Sequence, residues 1–442
     1  MATKSQFGLK EEIKKILRPL IYKIPNKYRY GKEYRNTYHY LIENSYNNIS
    51  LEKDLKELLE YAIKNVAFYK EKVLNKKKIE EFPIISKKDI FLNETNFISR
   101  EYNIKKLKKF STGGTTGFSL NLYKNKTEIS RGTAYVDYLF YKIVGKNNYI
   151  KGVLRSENVE NGFYKEINGT LIFSAYKLTK DNVKEYLKIM DEKKIECLHI
   201  LPSAMKIFCK YIEINNLKPN ISSLKGILSS SEVLSIKQKK EILNIFPKIK
   251  LLDLYGHTEQ LNLAVSENLG AYNFFKKYGY TEFRIVEEKE DTKIAEIIAT
   301  GFNNKAMPLI RYKTDDYVEL NSKNEVISIL GRKQDFLIDK NDNIIPCIFD
   351  TRENTLKNVE NFQFYQPEKG KLIFRIVILN SYNKNDEKVL YEDLNYAFGQ
   401  NLDIEIKIVE KIEKTKNGKQ RRLIQDFKLD DYWSVENENR IY

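Results

Sequence analysis

The segment Ser111-Thr112-Gly113-Gly114-Thr115-Thr116-Gly117-Phe118-Ser119 concentrates hydroxyls and glycines that no hydrophobic core requires. Glycine allows positive φ angles and a close approach of backbone to ligand, and Ser and Thr hydroxyls with freed N–H groups form donors for phosphate oxygens. No Gly-Lys-Ser/Thr closes the segment and it lacks the G-x-G-x-x-G spacing, so it is neither a Walker A loop nor a dinucleotide fingerprint. By itself the segment is equally typical of a flexible surface turn.

The flanks of this segment, residues 107–110 and 120–123, predict the two strands of a β-hairpin. Farther along, strand-like and helix-like runs alternate over residues 169–255. This alternation predicts an α/β fold with a largely parallel, doubly wound sheet, in which ligands bind at the carboxyl ends of strands. Two of these strand ends carry polar clusters, at residues 229–232 and 256–259.

Helical patterns dominate the first 75 residues. Apolar positions recur at helical spacing over 13–21, and a second helix is predicted over 51–73. The first is basic and amphipathic, so it either packs on the domain, which is the commoner arrangement, or lies on a membrane surface. Thr127 is a candidate N-cap for a helix that runs to about Val144, and a β-rich section follows from residue 281 to residue 330.

Composition limits the class of protein. At 442 residues the chain exceeds a single core, so two or three domains are expected. No apolar run approaches the roughly 18 residues of a membrane helix, and no hydrophobic signal region begins the chain. Three scattered cysteines are too few for a disulfide framework or a zinc cluster, so we predict a cytoplasmic protein. The net charge of +16 comes from lysines spread along the chain rather than from a basic block with interleaved aromatics, so no nucleic-acid partner is predicted and at most peripheral membrane contact.

Six polar motifs stand in a fixed order along the chain. They are Ser111–Gly117, Ser230-Ser231-Glu232, Tyr255-Gly256-His257-Thr258-Glu259, Arg311-Tyr312-Lys313-Thr314-Asp315-Asp316, Gly331-Arg332-x-x-Asp335 and Gly418-Lys419. In this order they resemble the adenylate-forming superfamily of acyl-CoA synthetases, peptide-synthetase adenylation domains and luciferases. Within it the chain looks most like the phenylacetate–coenzyme A ligase group, especially its relatives in capsular polysaccharide biosynthesis.

The resemblance implies an α/β fold with a large adenylation domain of mixed and parallel sheets, followed by a small α+β domain. The implied boundaries are 1–75 for the N-terminal helical region, 76–331 for the adenylation core and 332–442 for a mobile C-terminal domain. The implied reaction is the ATP- and Mg²⁺-dependent activation of a small-molecule carboxylic acid as acyl-AMP, with coenzyme A, an amine or a hydroxyl as acceptor. A monomer or a homodimer is expected.

The resemblance also implies a role for each matching residue. The triphosphate of ATP would be bound by Ser111, Thr112, Gly113, Gly114, Thr115, Thr116 and Gly117. The adenosine would be bound by Ser230, Ser231, Glu232, Tyr255, Gly256, Asp316 and Arg332. Tyr255 would stack on the purine, and Asp316 would bind the ribose hydroxyls. Thr258 would contact the α-phosphate, Glu259 would bind Mg²⁺, Asp335 would be the hinge and Lys419 the mobile catalytic lysine.

These roles agree with the chemistry of the reaction. A carboxylate is already deprotonated at neutral pH, so its attack on the α-phosphorus needs no general base. The attack brings two anions together, and the protein must neutralise charge and align the reactants. A lysine on a mobile loop suits this task because it is a compact charge on a flexible stem.

Departures from the family pattern leave the acid and the acceptor open. Gly117-Phe118-Ser119 stands where relatives often have Gly-Lys-Pro, Asp315 replaces a usual Gly, and Asn341 replaces another. Residues 264–275 lack the Cys and His residues of phenylacetate ligases, so no structural zinc is expected there.

Two other functions remain: an adenylyl transferase that leaves AMP on its substrate, and a non-catalytic basic protein that binds membranes or nucleic acid. Single residues stay open too: His199 could line the acyl pocket or be structural, and Cys347 could be an acyl acceptor, although a buried cysteine is commoner.

Overall fold

A computed structural model describes residues 26–44, 51–73, 78–111, 120–155, 157, 159–288, 290–332, 336–341, 344–347, 355–356, 358–398, 402–412, 421 and 423–427. The predicted helix over 13–21, most of the predicted phosphate loop (112–119), Asp335 and Lys419 lie outside the described residues. No helix in the described part of the chain is both long enough and apolar enough to span a membrane.

Among the described residues before the predicted loop, five helices form: α1 Asn26–Arg29, α2 Gly31–Asn44, α3 Glu52–Asn65, α4 Ala67–Lys72 and α5 Lys87–Leu92. Short 3₁₀ turns lie at Ile79–Glu81, Glu94–Phe97 and Ile104–Lys106. The prediction of one helix over 51–73 is wrong, because Val66 is extended (φ −119°, ψ 118°) and separates α3 from α4. Val66 is a β-branched residue, which suits extended backbone, and it is fully buried.

The predicted hairpin is present as β1 Lys108–Ser111 and β2 Asn121–Lys124, which pair antiparallel. Helix α6, Lys126–Val144, follows directly. Thr127 is not its N-cap, because the Asn125 side chain accepts from the Glu128 N–H at 2.9 Å and the Glu128 carboxylate accepts from the Asn125 N–H at 2.7 Å. This reciprocal pair is a capping box, which satisfies two backbone donors at once.

The central sheet has eight strands: β3 Lys151–Arg155, β4 Tyr164–Ile167, β5 Thr170–Ser174, β6 Cys197–Ile200, β7 Gly226–Ser230, β8 Lys250–Gly256, β9 Leu263–Glu267 and β10 Tyr272–Phe274. Their order is β10-β9-β8-β7-β6-β3-β5-β4. The five strands β5, β3, β6, β7 and β8 pair in parallel with one another in that order. At the edges, β4 pairs antiparallel with β5, and β9 pairs antiparallel with both β8 and β10.

Helices cover both faces of this sheet. On one face lie α7 Val183–Glu192, α8 Pro202–Ile214 and α9 Ile236–Ile245, whose apolar residues form one core with Leu198, Ile227 and Leu251 of the strands. On the other face, α2 and α6 share a core with Leu228 and Leu252. Since neighbouring residues of a strand point to opposite faces, both sides of the sheet are apolar and the predicted doubly wound arrangement is confirmed.

A second sheet of four antiparallel strands follows in chain order: β11 Gly279–Glu288, β12 Thr292–Gly301, β13 Tyr312–Asn321 and β14 Val326–Arg332. It shares its core with α3, α4 and the hairpin. A small two-stranded sheet, β15 Phe336–Ile338 and β16 Ile344–Pro346, comes next.

The C-terminal region contains β17 Val359–Gln366, β18 Lys371–Ile378, α10 Lys384–Phe398, β19 Asp403–Ile408 and β20 Leu423–Gln425. The strands form one sheet in the order β19-β18-β17-β20, and α10 packs on it. This region contacts α8, where Lys210 Nζ donates to the Leu356 carbonyl at 3.0 Å and Tyr211 hydrogen-bonds to Glu360. The predicted α/β fold with a small α+β C-terminal unit is confirmed.

The three cysteines, Cys197, Cys209 and Cys347, are buried and form no disulfide with one another. Burial raises the pKa of the Cys197 thiol to about 12, and the Cys209 thiol is shifted in the same direction. A thiol must ionise to act as a nucleophile, so neither of these two residues suits an acyl acceptor.

Candidate functional site

The candidate site lies at the carboxyl end of the parallel strands. β7 ends at Ser230, and its neighbour β8 ends at Gly256. Ser230 pairs with Leu254 in the strand register, one residue before Tyr255. Two of the predicted motifs therefore lie side by side, at the edge of the sheet where α/β proteins bind ligands.

The first cluster joins Ser230 to a histidine of the adjacent strand. His199 Nε2 lies 2.8 Å from Ser230 Oγ, and Ser230 Oγ lies 3.3 Å from Ser231 Oγ. Burial, together with the nearby cations Lys151 and Arg155, lowers the pKa of His199 to about 4. The imidazole is therefore neutral at pH 7 and can exchange one hydrogen bond with Ser230.

The next two residues, Ser231 and Glu232, form the turn that follows β7. Ser231 adopts a left-handed conformation (φ +74°), which is uncommon for a residue with a Cβ and marks a sharp change of chain direction. The Glu232 carboxylate accepts from the Ser203 N–H at 2.8 Å and from Ser203 Oγ at 3.1 Å. Glu232 thus caps the first turn of α8, where a negative charge is favourable. The predicted contact of Glu232 with adenine stays a prediction.

The second cluster joins two motifs that are 61 residues apart. Tyr255 Oη donates to Asp316 Oδ2 at 2.8 Å, and the two side chains are 9% and 7% exposed. The β12–β13 register is irregular at this point, and Asp315 has φ +60°, a conformation that glycine adopts without strain. Arg332 lies opposite Asp316 in the β13–β14 register. The strand pairing therefore brings three of the residues predicted to bind adenosine into one place.

The third cluster surrounds Glu259, which is 8% exposed. His257 Nδ1 lies 3.3 Å from Glu259 Oε2, and Tyr312 Oη lies 3.4 Å from Glu259 Oε1. The other ring nitrogen of His257 is 2.9 Å from Asn262 Oδ1. The carboxylate is thus held between the end of β8 and the start of β13, next to the exposed residue Thr258.

Lys124 completes this cluster and did not emerge from the motifs. Its Nζ donates to the Thr258 carbonyl at 2.6 Å, and the side chain is 2% exposed. Burial lowers the pKa of Lys124 to about 8, although the carboxylates Glu259 and Glu128 act in the opposite direction. A usable signal was present in the sequence. Lys124 continues the alternation of Leu120 and Leu122, which are buried, so its position points inward.

Magnesium fits the position of Glu259 by the chemistry of its donors. Mg²⁺ prefers oxygen ligands and commonly binds one or two carboxylates together with substrate phosphates. Across the described ranges, no group of three His, Cys, Asp or Glu residues is arranged to hold a metal. Glu259 therefore suits an ion shared with a bound nucleotide rather than a centre made by the protein alone.

Several predicted site residues cannot be placed. Thr112–Gly117, Asp335 and Lys419 are outside the described residues, and the side chains of Ser111 and Arg332 are not described. Ser111 itself ends β1 and pairs with Asn121. The hairpin therefore brings the two ends of the predicted phosphate loop together, and Lys124 at its other end contacts the Thr258 carbonyl. The roles of Thr112–Gly117 in binding phosphate, of Asp335 as the hinge and of Lys419 in catalysis remain predictions.

With this geometry in place, comparisons with solved structures define the class of fold. The chain matches a crystal structure of 2-hydroxyisobutyryl-CoA ligase in the postadenylation state, in complex with 2-HIB-AMP. The TM-score is 0.62 at 13% identity, and the match covers 85% of this chain and 89% of that one. An anthranilate CoA ligase in complex with anthranoyl-AMP matches with a TM-score of 0.50 at 11% identity, covering 73% and 67% of the two chains. The chain has the fold of the adenylate-forming superfamily.

Sequence comparison adds a particular relative. Over 440 residues the chain is 29% identical to Protein CapK of Staphylococcus aureus, covering 92% of this chain and 95% of that protein. Residues 337–426 match the family model described as CapK C-terminal domain. These sequence matches confirm the resemblance to a capsule-related relative, and the structural matches show that the chain shares the fold of adenylate-forming CoA ligases.

Proposed function

We propose that this chain is an ATP- and Mg²⁺-dependent ligase that activates a carboxylic acid as an acyl-adenylate and transfers the acyl group to an acceptor. The acceptor is coenzyme A, or an amine or hydroxyl of a surface-polysaccharide precursor. The fold shared with CoA ligases is the reason to consider the first kind of acceptor, and the resemblance to capsule-related relatives is the reason to consider the second.

The observation that carries this proposal is the hydrogen bond between Tyr255 and Asp316, which joins the same two chain segments, the end of β8 and the start of β13, as the contact between Tyr312 and Glu259. A buried carboxylate that a tyrosine hydroxyl orients is well suited to accept from the two hydroxyls of a ribose. The adjacent Glu259 and Thr258 then lie on the phosphate side. The site thus offers separate positions for the sugar and for the phosphates of ATP.

In the proposed reaction, a carboxylate oxygen of the acid attacks the α-phosphorus and pyrophosphate leaves. The acceptor then attacks the acyl carbonyl, and AMP leaves with the oxygen that came from the acid. Asp316 holds the ribose, Thr258 contacts the α-phosphate, and Lys419 approaches both anions in the first step. Mg²⁺ bound at Glu259 would supply charge neutralisation of the phosphates. Losing one such charge-stabilising group costs on the order of 3 kcal/mol of barrier.

The experiment that tests the proposal is ATP–pyrophosphate exchange across a broad panel of carboxylic acids. We expect exchange that depends on ATP, Mg²⁺ and a subset of the acids. The absence of exchange with every acid would count against ligase activity. The mass of the product after coenzyme A or an amino sugar is added then identifies the acceptor, and a product that keeps AMP would indicate an adenylyl transferase.

A further inference from the structure

Lys124 is the last residue of β2, the strand that leaves the predicted phosphate loop. The β1–β2 register pairs Lys108 with Lys124 and Ser111 with Asn121, so the two strands form a short stalk beneath the loop. Lys124 lies at the end of this stalk away from the loop, three residues along β2 from Asn121. It is therefore in a position to link the stalk to another part of the site.

The link that Lys124 makes is to the segment predicted to contact the α-phosphate and the metal. Its Nζ donates to the carbonyl of Thr258, 134 residues away in the chain, at 2.6 Å. The groups that face the ammonium come from each neighbouring element: Phe110 of β1, whose ring centroid is 5.1 Å away, Glu128 of α6, and Glu259. The ammonium thus interacts electrostatically with two carboxylates and lies next to an aromatic face, where a cation is attracted by the ring.

A purely structural link would not require a charge at this position. Burying an ammonium is unfavourable, and an apolar side chain of similar size is often neutral or stabilising in its place. The chain offers a comparison, because Lys250 also donates its Nζ to a carbonyl, that of Lys142, at 3.1 Å. Lys250 begins β8 at the end of the strand opposite to Gly256, and its side chain is 37% exposed. Lys124 therefore differs from Lys250 in being buried, as Lys239 is beside Asp253 elsewhere in the fold.

We infer that Lys124 is a positioning residue that fixes the Thr258–Glu259 segment to the stalk of the phosphate loop and places a positive charge behind the metal-binding carboxylate. This inference rests on the proposed function, because Thr258 and Glu259 take their roles from it. Lys124 acts through these two residues. Its effect should therefore be greatest when both a nucleotide and a divalent cation are bound.

The test measures nucleotide affinity by calorimetry, with ATP in the presence of Mg²⁺ and with ATP in EDTA. Lys124→Met keeps the length of the side chain and removes the charge and the donor. We expect about a tenfold loss of affinity for MgATP, as for the loss of a charge-assisted hydrogen bond, and less than about a threefold change in EDTA. Lys124→Arg restores charge and donors and should recover most of the MgATP affinity. Lys250→Met is the matched control and should bind as the wild type does.

Three results would overturn the inference. The first is a Lys124→Met protein that binds MgATP with wild-type affinity. The second is a Lys124→Met protein that loses ATP affinity equally with and without Mg²⁺ and has a lower unfolding midpoint, because this result indicates a structural link only. The third is a Lys124→Arg protein that circular dichroism shows to be folded but that does not recover the MgATP affinity. If the wild type binds MgATP but performs no exchange with any acid, ligase function fails while the role of Lys124 is still decided by binding. If the wild type binds no ATP, both proposals fail.

Discussion

Replacing Tyr255 with phenylalanine removes the hydroxyl that donates to Asp316 and keeps the ring that packs in the core. A hydrogen bond to a charged group contributes about 1.5–3 kcal/mol, and a buried acceptor that loses its donor is left poorly solvated. Because both side chains are largely buried, water replaces the lost hydroxyl only in part. We expect Tyr255→Phe to lower the free energy of unfolding by about 2 kcal/mol.

The same substitution should weaken AMP binding by about tenfold, because Asp316 loses the group that orients it toward the ribose. Urea unfolding followed by circular dichroism measures the first effect, and calorimetry with AMP measures the second. Tyr365→Phe is the matched control. Its hydroxyl also donates to a carboxylate, that of Asp426, but in an exposed pair. Exposed substitutions of this kind usually change stability by less than about 0.5 kcal/mol.

A double-mutant cycle with Asp316→Asn decides whether the two residues act as a pair. Residues in one hydrogen-bonded contact show interaction energies of about 0.5–3 kcal/mol, whereas independent sites add within about 0.3–0.5 kcal/mol. We expect a coupling of at least about 1 kcal/mol in both unfolding and AMP binding. Additive effects would refute the assignment of Tyr255 and Asp316 to one nucleotide site.

Three further predictions address other parts of the site. Lys419→Ala should abolish pyrophosphate exchange while leaving ATP affinity largely intact, and retained exchange would remove Lys419 from the mechanism. Glu259→Gln should raise the Mg²⁺ concentration required for half-maximal exchange, and an unchanged Mg²⁺ titration would contradict its role as a ligand. His199 has a folded-state pKa of about 4, below its ordinary value of 6.5, so its contribution to stability is complete above pH 6.5 and is lost as the pH falls toward 4. His199→Gln should therefore reduce the difference in unfolding free energy between pH 7 and pH 4.5 by roughly 2 kcal/mol, and an unchanged pH dependence would show that His199 is not the buried group that titrates.

The sequence was sufficient to predict much of the fold, because the main signals are periodic. Alternation of short apolar runs with amphipathic helices indicated the parallel strands β5 to β8, and the leucines beside the glycine-rich segment indicated the hairpin. Local backbone choices were harder to predict. Val66 breaks a helix whose apolar pattern continues, and Asn125 rather than Thr127 caps α6, since a capping box depends on the pairing with Glu128.

Motif order predicted the neighbourhood of Tyr255, Asp316 and Glu259, which lie together because the residues at the end of β8 and just after it contact the first residues of β13. It did not predict Lys124, whose partner is the backbone carbonyl of a residue 134 positions away. A contact to a backbone atom leaves no trace in side-chain motifs. It also did not predict that Glu232 contacts Ser203, because that bond depends on where α8 begins.

The central claim is that the acid attacks the α-phosphorus of ATP. An acid labelled with ¹⁸O in its carboxylate tests this directly, because the attacking oxygen stays with phosphorus when the acyl group leaves. Mass spectrometry of the products after acyl transfer should find one ¹⁸O in AMP and none in pyrophosphate. Label in inorganic phosphate, or AMP without label, would contradict the proposed acyl-adenylate route.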